Sequence, residues 1–132
     1  MKHVVVVEDD PHNAVLFRKL LEKRGGYRVT VTESAEELFA CCRADAALVI
    51  LDVSLAHTHW NGRPINGVEL CQILKNDPHT VGIPVVLATA HAMRGDAEKL
   101  IAESGANDYI SKPIVDHLAF LEHIKSLLKE AA

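Results

Sequence analysis

The sequence has no pair of cysteines at metal-ligand spacing. Cys41, Cys42 and Cys71 fall in helical patterns without a C-x-x-C motif, which points to buried or inert thiols in a reducing compartment rather than a zinc or disulfide framework. Long apolar runs are also missing. Met1-Lys2-His3 leads into only four valines before acids appear, far short of a signal-peptide core, and no run could span a bilayer. The reading is therefore a soluble, cytoplasmic protein without membrane insertion. Nor is there a basic stripe: 14 Lys and Arg against 18 Asp and Glu give a net charge of -4, so direct contact with nucleic acid is not expected. Internal repeats and low-complexity linkers are absent too. Residues 1–132 read as one ordinary domain, small for a multi-substrate enzyme, whose 48% apolar content suffices for a single core.

What the chain does have is a run, Ala47-Leu48-Val49-Ile50-Leu51-Asp52, that is apolar on both faces and stops on a carboxylate. Such a run suits a strand in the middle of a parallel sheet, with Asp52 at its carboxyl end. Ligands of open α/β sheets collect at that edge. Three more segments deliver polar groups to strand ends: Val4–Val7 leads into Glu8-Asp9, Val85–Ala88 into Thr89, and Tyr109-Ile110 into Ser111-Lys112. Helical patterns alternate with these strands. Asp10-Pro11 opens the first as cap and first-turn proline, and Gly25-Gly26 ends it. Tyr27 to Thr32 reads as a strand, and Ser34-Ala35-Glu36-Glu37 is a capping box for a helix through Cys42. A long polar loop then leads to Gly67; Val68, Cys71 and Leu74 form the next stripe. Ile83-Pro84 starts the fourth strand, Ala97 to Ser104 is helical, Asp108 to Ile110 is a fifth strand, and Leu118, Leu121, Ile124 and Leu128 mark the last helix. Five β-α units imply right-handed crossovers with helices on both faces of the sheet.

If the first and third strands are neighbours, Glu8, Asp9 and Asp52 meet within a few ångström. Two like charges about 4 Å apart cost roughly 4 kcal/mol at an effective dielectric near 20, so the cluster needs a cation or must take up protons. An all-oxygen ligand set favours Mg²⁺ or Mn²⁺ over zinc. Lys112 adds a positive charge, Thr89 a hydroxyl for a phosphoryl oxygen, and Asp52 a carboxylate nucleophile that can carry phosphate as an acyl phosphate.

Glu8-Asp9, Asp52, Thr89-Ala90 and Lys112-Pro113, in this order and on these strands, resemble the receiver domain of two-component response regulators. The segment from Ala88 to Asp96, with Tyr109-Ile110-Ser111-Lys112-Pro113-Ile114 after it, looks most like the short single-domain regulators of the DivK type. The resemblance implies a flavodoxin-like, doubly wound five-stranded parallel sheet of strand order 2-1-3-4-5, with no output domain attached. It implies that Asp52 accepts phosphate from a sensor histidine kinase or histidine phosphotransfer protein. Asp9 and Asp52 would then bind Mg²⁺, with Glu8 acting through water and the backbone carbonyl of Ser54 as the third protein ligand. Thr89 and Tyr109 match the switch pair, Lys112 would pair with the phosphoryl oxygens, and the Lys112–Pro113 bond is typically cis. A downstream protein target would be the output partner, read through the fourth helix, fifth strand and fifth helix. The chain would be a monomer or weak homodimer and a signalling phosphoacceptor rather than an enzyme.

The sequence departs from the family between Asp52 and Gly67, where a short turn is usual and this chain carries His57-Thr58-His59-Trp60-Asn61-Gly62-Arg63-Pro64-Ile65-Asn66. Such excess length often marks a binding loop. Trp60, the one tryptophan, either anchors an interface or packs against its own loop. His57 and His59, with His12 or His91, form a candidate transition-metal set, although solvated loop histidines are commoner. His91, two residues beyond Thr89, and Ser54, two beyond Asp52, stand where the family tunes acyl-phosphate lifetime. Two rivals stay open: a receiver-like binding module that works without phosphate, and an aspartyl-phosphate phosphatase of the haloacid dehalogenase kind. The second wants an acid where Ser54 stands.

Overall fold

A computed structural model describes residues 1–90 and 94–131. In chain order the elements are β1 (His3–Val7), α1 (Pro11–Lys19), β2 (Arg28–Thr32), α2 (Ala35–Ala44), β3 (Ala46–Asp52), β4 (His59–Trp60), β5 (Arg63–Pro64), α3 (Gly67–Lys75), β6 (Val85–Thr89), α4 (Arg94–Ser104), β7 (Asp108–Ser111) and α5 (His117–Ala131). The main sheet has five strands in the order β2-β1-β3-β6-β7, all parallel. Counting only its own strands, this is the 2-1-3-4-5 order expected from the resemblance, and it is the flavodoxin-like arrangement.

Alternation along the central strands divides the interior into two cores. Val5, Val7, Val49, Leu51, Val85 and Leu87 pack with Leu38 and Phe39 of α2 and Leu70 and Leu74 of α3. Val4, Val6, Leu48, Ile50, Val86 and Ala88 pack on the other face with Phe17 of α1 and Phe120, Ile124 and Leu128 of α5. Because β1 and β3 are buried on both faces, their sequences cannot alternate with polar residues, and the first polar side chains come where each strand leaves the sheet. That is how Glu8 and Asp52 arrive at one rim.

The helix starts follow their caps. Asp10 accepts the His12 N–H at 2.9 Å, with Pro11 at the first position of α1. Ser34 accepts from Glu37 at 3.1 Å, and Asn66 and Glu69 form a reciprocal capping box at α3. α1 continues into a π-helical turn, Leu20–Arg24, whose wider winding lets adjacent Leu20 and Leu21 both face the core.

The stretch read as a long polar loop contains a folded hairpin. β4 and β5 pair antiparallel, and the two residues between them, Asn61 and Gly62, have φ of 55° and 78°. Two consecutive left-handed residues are what a type I′ turn requires, and Asn-Gly is its strongest sequence signal. The Thr58 hydroxyl donates to the Glu33 carbonyl at 2.8 Å, and the Ile65 N–H donates to the Thr58 carbonyl at 3.0 Å. Trp60 is half-buried, and its ring stands edge-on to Phe39 of α2, centroids 4.6 Å apart and planes at 75°.

Candidate functional site

The site lies where β1, β3, β6 and β7 end. Their parallel register sets Val7 beside Leu51, Asp52 beside Ala88 and Thr89 beside Ser111, so the last residues of β3 and β6, Asp52 and Thr89, and the residues just past β1 and β7, Glu8 and Lys112, share one rim. Glu8, Asp9 and Asp52 each offer a carboxylate oxygen, and these oxygens all lie within 4.8 Å of one another. Glu8 and Asp52 are buried. Lys112 reaches in from β7, its Nζ 3.0 Å from Asp52 Oδ1 and 3.2 Å from Glu8 Oε1. The Ser54 N–H donates to Asp52 Oδ1 at 3.1 Å, and the Ala56 N–H donates to Asp9 Oδ2 at 2.7 Å.

Three carboxylates face one ammonium, and the ionisation of the group reflects the imbalance. Burial, then the hydrogen bond and negative charge of Asp52, push Glu8 from 4.5 up to about 7, against the pull of Lys112. Asp52 moves the other way. Its own burial favours the neutral form, but hydrogen bonds from Glu8, Lys112 and the Ser54 N–H outweigh that and hold its pKa below the usual range. Lys112 is likewise kept charged: burial works against its ammonium, and Asp52 and Glu8 overcome it. Of the two acids, Glu8 is the one inclined to hold a proton and Asp52 the one inclined to stay ionised. A hard divalent cation fits the oxygen donor set and the surplus negative charge, and would take the place of that proton.

Thr89 is buried at the end of β6, and its carbonyl accepts the Lys112 N–H at 2.9 Å, which fixes the two ends side by side. The bond from Lys112 to Pro113 is cis. Tyr109, opposite Leu87 in the sheet, is half-buried against the core shared with α2 and α3. Ser54 is exposed and meets Asp52 through its N–H. His12, His57 and His59 are exposed; among the described residues the group able to hold a metal is the three acids, without a histidine. His91 lies outside the described residues.

Two contributions to the site escape a reading by motif. The first is Gly67, where a Cβ would stand 2.2 Å from the Asp52 carbonyl oxygen and 3.0 Å from Val53 Cα. A glycine at the start of a helix is common, so its spacing after Asp52 carries no local signal of that closeness. The second is the Ala56 N–H on Asp9, a main-chain contact just before the hairpin; Asn61-Gly62 signals the hairpin turn but not this contact.

Comparisons with known proteins agree on the family. The profile of the response regulator receiver domain matches residues 4–127. The polar-differentiation response regulator DivK of Brucella ovis is 36% identical over 130 residues, covering 98% of each chain. A CheY-like response regulator receiver domain protein of Methanospirillum hungatei superposes with a TM-score of 0.78 at 26% identity, over 99% of this chain and 96% of that one. The receiver domain of a Pseudomonas aeruginosa sensor histidine kinase, described with a magnesium ion coordinated in its active-site cleft, shares the fold. Its TM-score is 0.79 at 20% identity, over 97% and 98% of the two chains. With its sheet order, its acid rim and these likenesses together, the chain belongs to the response regulator receiver domain family.

Proposed function

We propose that this chain is a response-regulator receiver in which Asp52 accepts a phosphoryl group from a phosphohistidine on a sensor kinase or phosphotransfer protein. The observation that carries the reading is the buried Asp52 carboxylate, kept ionised 3.0 Å from Lys112 and within 4.8 Å of two further acids. In the transfer, an Asp52 carboxylate oxygen forms the new P–O bond as the P–N bond of phosphohistidine breaks, its electron pair leaving with the imidazole. Asp9 and Asp52 would hold Mg²⁺, or Mn²⁺, with the Ser54 carbonyl as a further ligand and Glu8 acting through water. Bound there, the cation supplies neutralisation of phosphoryl charge. Lys112 stands ready to follow a phosphoryl oxygen, and the Thr89 hydroxyl to donate to one. Tyr109 would answer the movement of Thr89, so that a downstream protein binds one of two states better.

The test is intact mass after incubation with acetyl phosphate and Mg²⁺. Wild type gains one phosphoryl mass that disappears when Mg²⁺ is chelated, and Asp52→Asn gains none. Steady turnover of a phosphate ester in place of a stable adduct would favour a phosphatase instead.

A further inference from the structure

The hairpin reaches the acid cluster at one end and α2 at the other. At its base the Ala56 N–H donates to Asp9 Oδ2 at 2.7 Å, short enough to be a charge-assisted bond. Further along, the buried Thr58 hydroxyl holds the carbonyl of Glu33, between β2 and α2, at 2.8 Å. Trp60 then leans on Phe39, and Ile65, 8% exposed, enters the core that contains Leu51 and Leu70. Asp9 itself is only half-buried. A carboxylate at a strand end, open to solvent on one side and repelled by the Asp52 carboxylate, gains by turning away from it. The Ala56 N–H, bonded to Asp9 Oδ2, opposes this turn.

We propose that residues 55–65 are a strut that fixes Asp9 in the metal site, with Trp60 and Thr58 as the positioning residues that anchor it. The proposal rests on the reading of the acids as an Mg²⁺ site, and it explains what the extra length between β3 and α3 does in this chain. The strut acts through one backbone N–H. Its anchors never touch metal or phosphate, yet they set how far Asp9 can swing. A single ring pair and a single side-chain hydrogen bond are each small beside the whole of the core. Loss of either anchor therefore loosens the strut without unfolding the sheet.

Wild type, Trp60→Ala, Trp60→Phe and Thr58→Val are compared by two measurements. Hydrogen exchange of the Ala56 amide is followed by NMR in metal-free protein, and binding of Mg²⁺ alone is followed by calorimetry. Trp60→Ala and Thr58→Val are expected to speed Ala56 exchange about tenfold, a change of about 1.4 kcal/mol, and to weaken Mg²⁺ binding by a similar factor. Trp60→Phe, which keeps a ring against Phe39, is expected to stay within about twofold of wild type. Unchanged Ala56 exchange and unchanged Mg²⁺ affinity in both Trp60→Ala and Thr58→Val would overturn the strut. Should Trp60→Ala fail to fold, Thr58→Val decides, since it keeps the side chain's shape. Wild type that binds no Mg²⁺ at all would overturn the metal reading instead, and the Ala56 exchange would still report whether the hairpin holds Asp9.

Discussion

Gly67 lies against the backbone of Asp52: a Cβ on Gly67 would sit 2.2 Å from the Asp52 carbonyl oxygen and 2.8 Å from its carbonyl carbon. The first turn of α3 is thus seated on the residue at the centre of the acid rim, with the Gly67 N–H donating to Val53 at 3.3 Å. Both partners in the clash are main chain, so no rotamer change relieves it. Gly67→Ala is expected to cost about 2–3 kcal/mol, as overpacking does, and to lower the melting temperature by roughly 10 °C. Gly82, where an added Cβ meets nothing within 4 Å, is the control. Gly82→Ala should be neutral or slightly stabilising, through the unfolded chain. Thermal melts of the two variants check both statements.

The elevated Glu8 predicts an unusual dependence of stability on pH. A carboxyl whose folded pKa stands at about 7 against an ordinary 4.5 binds its proton more tightly in the folded state. Its contribution is complete below about pH 4.5 and is lost as pH rises through about 7. Asp52, lowered instead, contributes stability above its ordinary 3.8 that fades only on acidification below that value. Between pH 5 and 8 the Glu8 effect dominates. Metal-free protein should therefore melt at lower temperature at pH 8 than at pH 5.5, and Mg²⁺ should stabilise it more at pH 8. Glu8→Gln should flatten the metal-free slope.

Lys112 balances two buried carboxylates at 3.0 and 3.2 Å with a side chain only 10% exposed. Removing one partner of such a group leaves uncompensated charge, at a cost of about 3–5 kcal/mol for a fully buried pair. Lys112→Met should therefore destabilise the metal-free protein at pH 8 by an amount of that order, and by less at pH 5.5, where protonation of the acids supplies the missing balance. Adding Asp52→Asn should recover much of the loss. Chemical denaturation at the two pH values measures both.

The hairpin turn can be probed without touching the site. Gly62 has φ of 78° and open space where a Cβ would go, so Gly62→Ala adds backbone strain and nothing else. A cost of about 1 kcal/mol is expected, confined to the hairpin, with Trp60 fluorescence changing before the global melt.

How much of this was legible from residues alone differs from element to element. The runs Val4–Val7, Leu48–Leu51 and Val85–Ala88 announce buried parallel strands because both of their faces are covered, and the parallel sheet then brings their polar ends to one rim. Glu8, Asp9, Asp52 and Lys112 could be named for that reason. The hairpin was hidden because each strand is two residues long, too short for any alternation, leaving Asn61-Gly62 as the sole cue. Contacts made by main chain, such as Ala56 on Asp9 and Gly67 on Asp52, have no side-chain signature. The pairing of Trp60 with Phe39 joins residues from separate elements, and no local pattern encodes it. The π-helical turn at Leu20–Arg24 is similarly silent, since adjacent leucines fit a helix of either winding.

Among three neighbouring acids, Asp52 is the one proposed to carry the phosphoryl group. The most direct measurement is to treat wild type with acetyl phosphate and Mg²⁺, reduce any acyl phosphate with borohydride, and locate the reduced residue by peptide mass spectrometry. Reduction at position 52 alone, dependent on Mg²⁺, is expected. Reduction at Glu8 or Asp9, or no reduced residue anywhere, would contradict it.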